Sequence, residues 1–165
     1  MTFEDIAGGA TVYVDANIFI YHFTRQSDEC RLLLSRCQQM ELQGATGMHV
    51  ILEVAHRIMM IEAVSKGVIL GGNVPSRLKR RPELVGRLTD LHGWVHSIQD
   101  SNIIVLEPRL STLESSLNWQ RRYGLLVNDS VSAALMNEYD ISTIATNDRD
   151  FRRIQGLTVY MPSDV

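Results

Sequence analysis

The sequence predicts an α/β fold: a central, mostly parallel twisted sheet flanked by helices. Three observations carry that expectation. Short β-rich apolar runs, such as Thr11–Val14, Asn102–Leu106 and Ser142–Thr146, alternate with longer stretches of helical periodicity. None of the apolar stretches reaches the length of a membrane span. The 165 residues, 45% hydrophobic and 21% charged, suit one ordinary globular domain with a real core.

The elements follow in order. Thr11-Val12-Tyr13-Val14 is β-branched and aromatic, comes after Gly8-Gly9 and stops at Asp15. A short helix is expected through Ile18, Phe19 and Ile20. Ser27-Asp28 supplies capping residues for a second helix, with Leu33, Cys37 and Met40 at helical spacing. Ala45-Thr46-Gly47 reads as a brief second strand. From about Met48 to Val64 the pattern is helical, with Ile51, Val54, Ala55, Ile58 and Ile61 facing one way. Three glycines, Asn73 and Pro75 make 67–76 a loop. Glu83 to Ile98 reads as one helix whose stripe is Leu84, Leu88, Leu91, Val95 and Ile98, with Trp94 alongside. Beyond Asn102–Leu106, a helix over about Leu110–Tyr123 opens at Ser111 or Thr112. Another starts near Asp129 and carries Val131, Ala134, Leu135 and Tyr139. A strand at Ser142–Thr146, a helical turn at Asp150–Ile154 and a strand at Thr158–Met161 complete the chain. With no repeat and no linker, 1–165 is expected to be one domain with a helical elaboration around 66–100.

Bulk properties narrow the setting. The N-terminus lacks the basic start and apolar run of a signal peptide. Cys30 and Cys37 lie two helical turns apart, roughly 10 Å along the axis, too far for a disulfide in an intact helix. They are expected to be reduced, buried small hydrophobes, which suits the cytoplasm. A net charge of −3 gives no long-range attraction to nucleic acid, yet a local basic patch would suffice for steering.

The chemistry lies in the acids. In an open parallel sheet, functional groups gather beyond the carboxyl ends of the strands. Asp15 ends the first strand, Asp148 follows a later one, and Asp129 stands at a loop-to-helix junction. Glu53 sits among Val50, Ile51, Leu52, Val54 and Ala55, where a charge is costly without compensation. Carboxylates converging on one point repel one another unless a cation neutralises them. Oxygen ligands without cysteine favour Mg²⁺ or Mn²⁺ over zinc. Each acid also has an ordinary explanation: strand end or cap for Asp15, N-cap for Asp129, turn residues for Asp148 and Asp150, and an ion pair with Arg57 for Glu53. The combination is what points to a site.

Four segments, in order, resemble the PIN-domain family, in particular its VapC-like toxin branch: Val-Asp-Ala-Asn-Ile-Phe-Ile-Tyr (14–21), His-Val-Ile-Leu-Glu-Val (49–54), Asn-Asp-Ser-Val-Ser-Ala-Ala (128–134) and Ala-Thr-Asn-Asp-Arg-Asp-Phe (145–151). The resemblance implies a Rossmannoid three-layer sandwich and a Mg²⁺- or Mn²⁺-dependent endoribonuclease. Position by position, it makes Asp15, Glu53, Asp129 and Asp148 the four metal-binding acids, with Asp150 in reserve for the fourth place. Thr146 matches a small hydroxyl residue that supports the site, and Asn17 is expected to steady the ligands from behind. Asp15 and Asp129 are the expected direct ligands, and Glu53 either ligates or holds the attacking water. A toxin also implies a small antitoxin partner and a homodimer, and the stretch from about 66 to 100 is longer than a compact toxin needs.

RNA must be held as well. Arg149, Arg152 and Arg153 lie beside the proposed pocket in sequence, and Arg77, Lys79, Arg80, Arg81 and Arg87 form a second basic group. The spacing of His49, Glu53 and His56 admits a His/Glu/His metal face, but it lacks the His-Glu-x-x-His order. The glycines at 67, 71 and 72 lack the Lys-Ser/Thr of a phosphate loop. Two rivals stand outside the toxin reading. A phosphatase of the dehalogenase type wants an acid two residues after Asp15, where this chain has Asn17. A non-catalytic PIN-fold RNA-binding module, or a housekeeping RNA-processing nuclease, would share the fold without the antitoxin.

Overall fold

The computed structural model describes residues 1–165. Five strands, β1 (Thr11–Val14), β2 (Gln43–Gly47), β3 (Ile104–Leu106), β4 (Thr143–Ala145) and β5 (Thr158–Tyr160), form one sheet. Its order is β3-β2-β1-β4-β5, and every pairing is parallel. Parallel neighbours need crossover connections, which is why helices separate the strands. They are α1 (Ala16–Phe23), α2 (Asp28–Gln38), α3 (Met48–Ser65), α4 (Val74–Arg80), α5 (Pro82–Val85), α6 (Asp90–Gln99), α7 (Leu110–Tyr123) and α8 (Val127–Glu138). No helix is long and apolar enough to cross a membrane.

The central strand β1 is buried at Val12, Tyr13 and Val14, as a strand covered on both faces must be. Around it a main core joins Ile18 and Phe19 of α1, Leu33 and Cys37 of α2, Val54 and Ile58 of α3, Leu135 of α8 and Ile144 of β4. Both cysteines are buried and unpaired, and burial pushes both thiols up to about 11. The expected reduced state thus has a simple physical basis. Ser27 caps α2 by accepting from Cys30 N at 2.9 Å.

Departures from the expected elements have local causes. The α2 helix stops at Gln38, and Met40 takes a left-handed φ of 60° beyond the cap, so its side chain is 77% exposed rather than continuing the buried stripe. The single helix expected over Glu83–Ile98 is two pieces, α5 and α6. Pro82 separates α4 from α5, and α5 ends after one turn at Val85, before the turn and loop that lead into α6 at Asp90. Helix α4 itself begins inside the expected loop, where Asn73 caps it by accepting from Ser76 N at 3.1 Å. Within α6 the inward residue is Trp94, with its edge against Phe19, while Val95 is exposed.

Residues 66–100 build a second, smaller core against Ala63 of α3, from Ile69, Leu78, Leu84 and Leu88. A buried carboxylate ties this region to α3. Glu62, 1% exposed, accepts from Thr89 N at 2.7 Å and Asp90 N at 3.1 Å, and pairs with Lys66 Nζ at 2.6 Å.

Candidate functional site

The strand order reverses between β1 and β4, and a crevice opens outside their carboxyl ends, where open α/β sheets place ligands. Asp15 lies at the end of β1, and Thr146 and Asp148 follow β4. The first turn of α8 brings Asp129, and α3 brings Glu53. Together Asp15, Asn17, Glu53, Arg57, Asp129 and Asp148 line one cleft of about 220 Å³.

Asp15 is held on all sides. Its Oδ1 accepts from Ala16 N at 2.7 Å, and its Oδ2 accepts from Asn17 Nδ2 at 2.7 Å and Thr146 Oγ1 at 2.6 Å. Asn17 Oδ1 in turn accepts from Asn147 N at 2.9 Å, and Asn147 Nδ2 donates to the Tyr21 hydroxyl at 3.1 Å. Thr146 Oγ1 also accepts from Asp148 N at 2.9 Å. One hydroxyl therefore fixes the two acids at the switch point relative to each other. Asp148 caps the short 3-10 helix Arg149–Arg153, accepting from Asp150 N at 2.8 Å. The capping explanations for Asp15 and Asp148 are thus real, and they leave carboxylate oxygens facing the cleft side by side with the other acids.

For Asp129 and Glu53 the ordinary explanations do not hold. Helix α8 begins at Val127, two residues earlier than expected, so Leu126 is the N-cap and Asp129 caps nothing. Glu53 and Arg57 form no ion pair; Glu53 Oε2 instead accepts from Asn128 Nδ2 at 2.9 Å. None of the four acids belongs to any of the six salt bridges in the protein.

The electrostatics record this lack of compensation. Burial, then the charges of Asp15, Asp148, Glu53 and Asp150, push Asp129 up to about 6. Burial is also the main cause that raises Asp15, with Glu53 and Asp148 adding to it and the bonds from Thr146 and Ala16 opposing it. A hard divalent cation is the group such a donor set fits: several carboxylate oxygens, no thiolate, and no protein cation bonded to them. The side chains do not stand in a closed cluster of three or more ready ligands, so the acids converge on a cleft and not on a preformed cage.

The remaining expected residues fall into distinct places. Asp150 does not line the cleft; its Oδ1 pairs with Arg153 Nη2 at 2.7 Å. Arg149 and Arg152 are exposed on the same 3-10 helix, and Arg152 donates to the Met161 sulfur at 2.9 Å. Lys79, Arg80 and Arg81 are exposed at the end of α4, and Arg81 pairs with Glu83 at 3.2 Å. His56 is exposed and His49 half-buried, so the His/Glu/His face is not assembled.

Beneath the acids lies a network that the sequence did not reveal. Ser132 of α8, which also lines the cleft, accepts from the buried Tyr13 hydroxyl at 3.1 Å and lies 2.9 Å from His49 Nε2. The other ring nitrogen of His49 is buried without a partner, and burial lowers its pKa. Gly47 makes room for this packing. A Cβ there would sit 2.7 Å from the Tyr13 hydroxyl and closer still to the His49 ring. Only the helical spacing of Asp129 and Ser132 could have hinted that both face one cleft; Tyr13 and His49 join them through the fold alone.

The family model of the PIN domain matches residues 12–157, a span that contains every acid of the cleft. The chain belongs to the PIN-domain family. PIN domains are nucleases. Solved structures place the fold in the same group. VapBC2 from Rickettsia felis, bound to a DNA fragment from its promoter, aligns with a TM-score of 0.58 at 15% identity, covering 92% of this chain and 98% of that one. VapC20 from Mycobacterium tuberculosis, a sarcin-ricin loop cleaving toxin, aligns at 0.55 with 16% identity, covering 86% and 92%. A toxin–antitoxin complex from Klebsiella pneumoniae aligns at 0.52 with 17% identity, covering 89% and 95%. No curated protein matches by sequence. At these identities the likeness is one of fold.

Proposed function

We propose that this PIN domain is a metal-dependent endoribonuclease that hydrolyses RNA phosphodiesters and acts as the toxin of a toxin–antitoxin pair. The observation that carries the chemistry is the set of four carboxylates, Asp15, Glu53, Asp129 and Asp148, gathered at the switch point with no ion pair to any of them. A bound Mg²⁺ or Mn²⁺ would polarise the phosphoryl oxygens and make water nucleophilic at neutral pH.

The protein's part is to position. Asp15, fixed by Ala16 N, Asn17 and Thr146, and Asp129, which has no competing bond of its own, are the direct ligands. Asp148, tied to Asp15 through Thr146, completes the acidic wall, and Asp150 stays engaged with Arg153. Glu53, oriented by Asn128, would hold the attacking water. Arg149, Arg152 and Arg153 contact the RNA phosphates nearest the cleft, and Lys79, Arg80 and Arg81 reach phosphates farther along.

The toxin role draws on the three structural neighbours, whose own descriptions name toxins or their complexes. It brings a small antitoxin protein as partner and a cytoplasmic setting. A homodimer is supported by Leu110, Leu113 and Leu117, which are exposed along one side of α7.

Purified protein incubated with single-stranded and structured RNA in Mn²⁺, Mg²⁺ or EDTA, beside an Asp15→Asn variant, tests the reading. Metal-dependent cleavage should fall by roughly 10²–10³-fold in the variant, the scale for loss of one charge-stabilising group. Equal cleavage by both proteins would contradict it. Growth arrest on expression, relieved by co-expression of a neighbouring reading frame, would carry the toxin role; harmless expression of an active nuclease would favour RNA processing instead.

A further inference from the structure

A second cleft, of about 260 Å³, opens at the far end of α8 from the acids. It is below the roughly 300–1,000 Å³ of sites for drug-sized ligands, a size suited to one flat ring. Its wall is mixed. Met136, Ile154 and the half-buried Trp119 give an apolar surface, while Asn137, Asp140 and Gln155 stand exposed around the opening. Trp119 is already stacked on one neighbour, the Tyr123 ring, at 5.6 Å between centroids and 23° between planes. The Arg122 guanidinium lies over Tyr123 at 5.1 Å, and Arg122 Nη2 donates to Gln155 Oε1 at 3.5 Å on the cleft's rim. An aromatic pair backed by a guanidinium, beside an opening with amide and carboxylate groups, is the equipment that stacks a nucleobase and reads its edge.

The position connects this cleft to the acids. Asp129 is in the first turn of α8 and Asn137 near its last, eight residues on, so the two clefts are separated by roughly 12 Å of helix, the span of a few nucleotides. Arg153 pairs with Asp150 at 2.7 Å, and its guanidinium lies near Gly124 at the end of α7, next to Tyr123.

We infer that the Trp119 cleft is a base-stacking subsite for a single-stranded RNA nucleotide a few positions from the bond cut at the acids. The inference rests on the nuclease reading for the cut itself, while the stacking can be measured without it.

Tryptophan fluorescence reads the subsite directly, because the only other tryptophan, Trp94, is 4% exposed. In the Asp15→Asn protein, a single-stranded decaribonucleotide should quench saturably and AMP should quench more weakly. Ribose 5-phosphate should have no effect. In the wild type, Trp119→Leu should raise KM for the decaribonucleotide about tenfold, the scale of one base stack removed. It should leave kcat unchanged and have no effect on cleavage of a dinucleotide, too short to span both clefts. Gln155→Ala and Asn137→Ala, at exposed positions that leave the core intact, should raise the same KM severalfold. An unchanged KM in all three variants overturns the subsite. So does quenching by ribose 5-phosphate equal to that by AMP, which would mean a site for charge alone, or quenching by AMP with no KM effect, which would mean a free-nucleotide site. If the wild type cuts none of the RNAs, the nuclease reading fails and the quenching decides alone: saturable quenching by the decaribonucleotide keeps the subsite, and its absence removes it.

Discussion

Glu53 and Glu62 stand nine residues apart on the same helix, and they are opposite cases of a carboxylate taken from water. Glu62 is almost fully buried and fully answered, by the Lys66 ammonium and two backbone N–H groups at the start of α6. Glu53 is half-buried and answered only by the Asn128 amide, while Asp15, Asp129 and Asp148 share its cleft without one ion pair among them. A carboxylate whose partners are all supplied by the chain is part of the architecture. A group of carboxylates with no ion pair from the chain is costly to keep charged, as the raised pKa of Asp129 records, and such groups mark candidate functional sites.

Breaking each side of this contrast should have separable effects. The largest stability loss is expected for Glu62→Ala, about 2 kcal/mol, since two part-buried N–H groups and Lys66 lose their shared charged acceptor. Urea unfolding measures it, and the cleavage rate of the folded protein should stay near that of the wild type. A rate that fell with the Glu62 latch would join the arm to the catalytic centre. Thr146→Val should do the reverse. It keeps the volume but removes the hydroxyl that ties Asp15 to Asp148, so cleavage should drop about 10–100-fold, the range for losing a support behind a metal ligand. Circular dichroism should show the fold retained. The smallest effect is expected from the double substitution Lys79→Ala and Arg80→Ala. RNA binding should weaken severalfold, with the salt slope shallower by about 1.4, close to 0.7 for each single-strand phosphate no longer neutralised. An unchanged slope in filter binding would make these residues ordinary solvated surface.

Some of this was legible before the fold was known, for physical reasons that can be named. The strand ending in Val14-Asp15 shows both its burial and its functional end, because a parallel central strand is apolar throughout and stops where chemistry begins. Asp15 and Asp148 could be singled out because they follow strands, Asp129 because it stands at a helix junction, and Glu53 because it sits among apolar residues. The 82–98 region could not be read correctly, since its leucine spacing satisfies one continuous helix while the chain breaks it over residues 86–89 into two pieces. Trp94 and Val95 exchanged places for the same reason: the register of the stripe depends on where α6 begins. The Tyr13–Ser132–His49 network and the Trp119 cleft are assembled from segments remote in sequence, and their residue types are ordinary core residues until the sheet brings them together.

The central claim is that the cleft acids require an external cation, and the pH dependence of stability states it most directly. Asp129 is pushed from 3.8 up to about 6, chiefly by burial and then by Asp15, Asp148, Glu53 and Asp150. With its folded pKa above its unfolded one, the folded state holds the extra proton between about pH 4 and 6, so stability falls as pH rises through that window and stays lower above it. The full shift would be worth about 3 kcal/mol; for a half-exposed group, screening by water reduces that to about 1 kcal/mol. Thermal unfolding of the wild type and Asp129→Asn at pH 5 and pH 7.5, with EDTA or Mn²⁺, is the measurement to make. The wild type in EDTA should have a lower Tm at pH 7.5 than at pH 5, and Mn²⁺ should restore it at pH 7.5. The variant should lose less between the two pH values and gain little from Mn²⁺. A wild-type Tm indifferent to Mn²⁺ at pH 7.5, or a variant that gains as much as the wild type, would contradict the account.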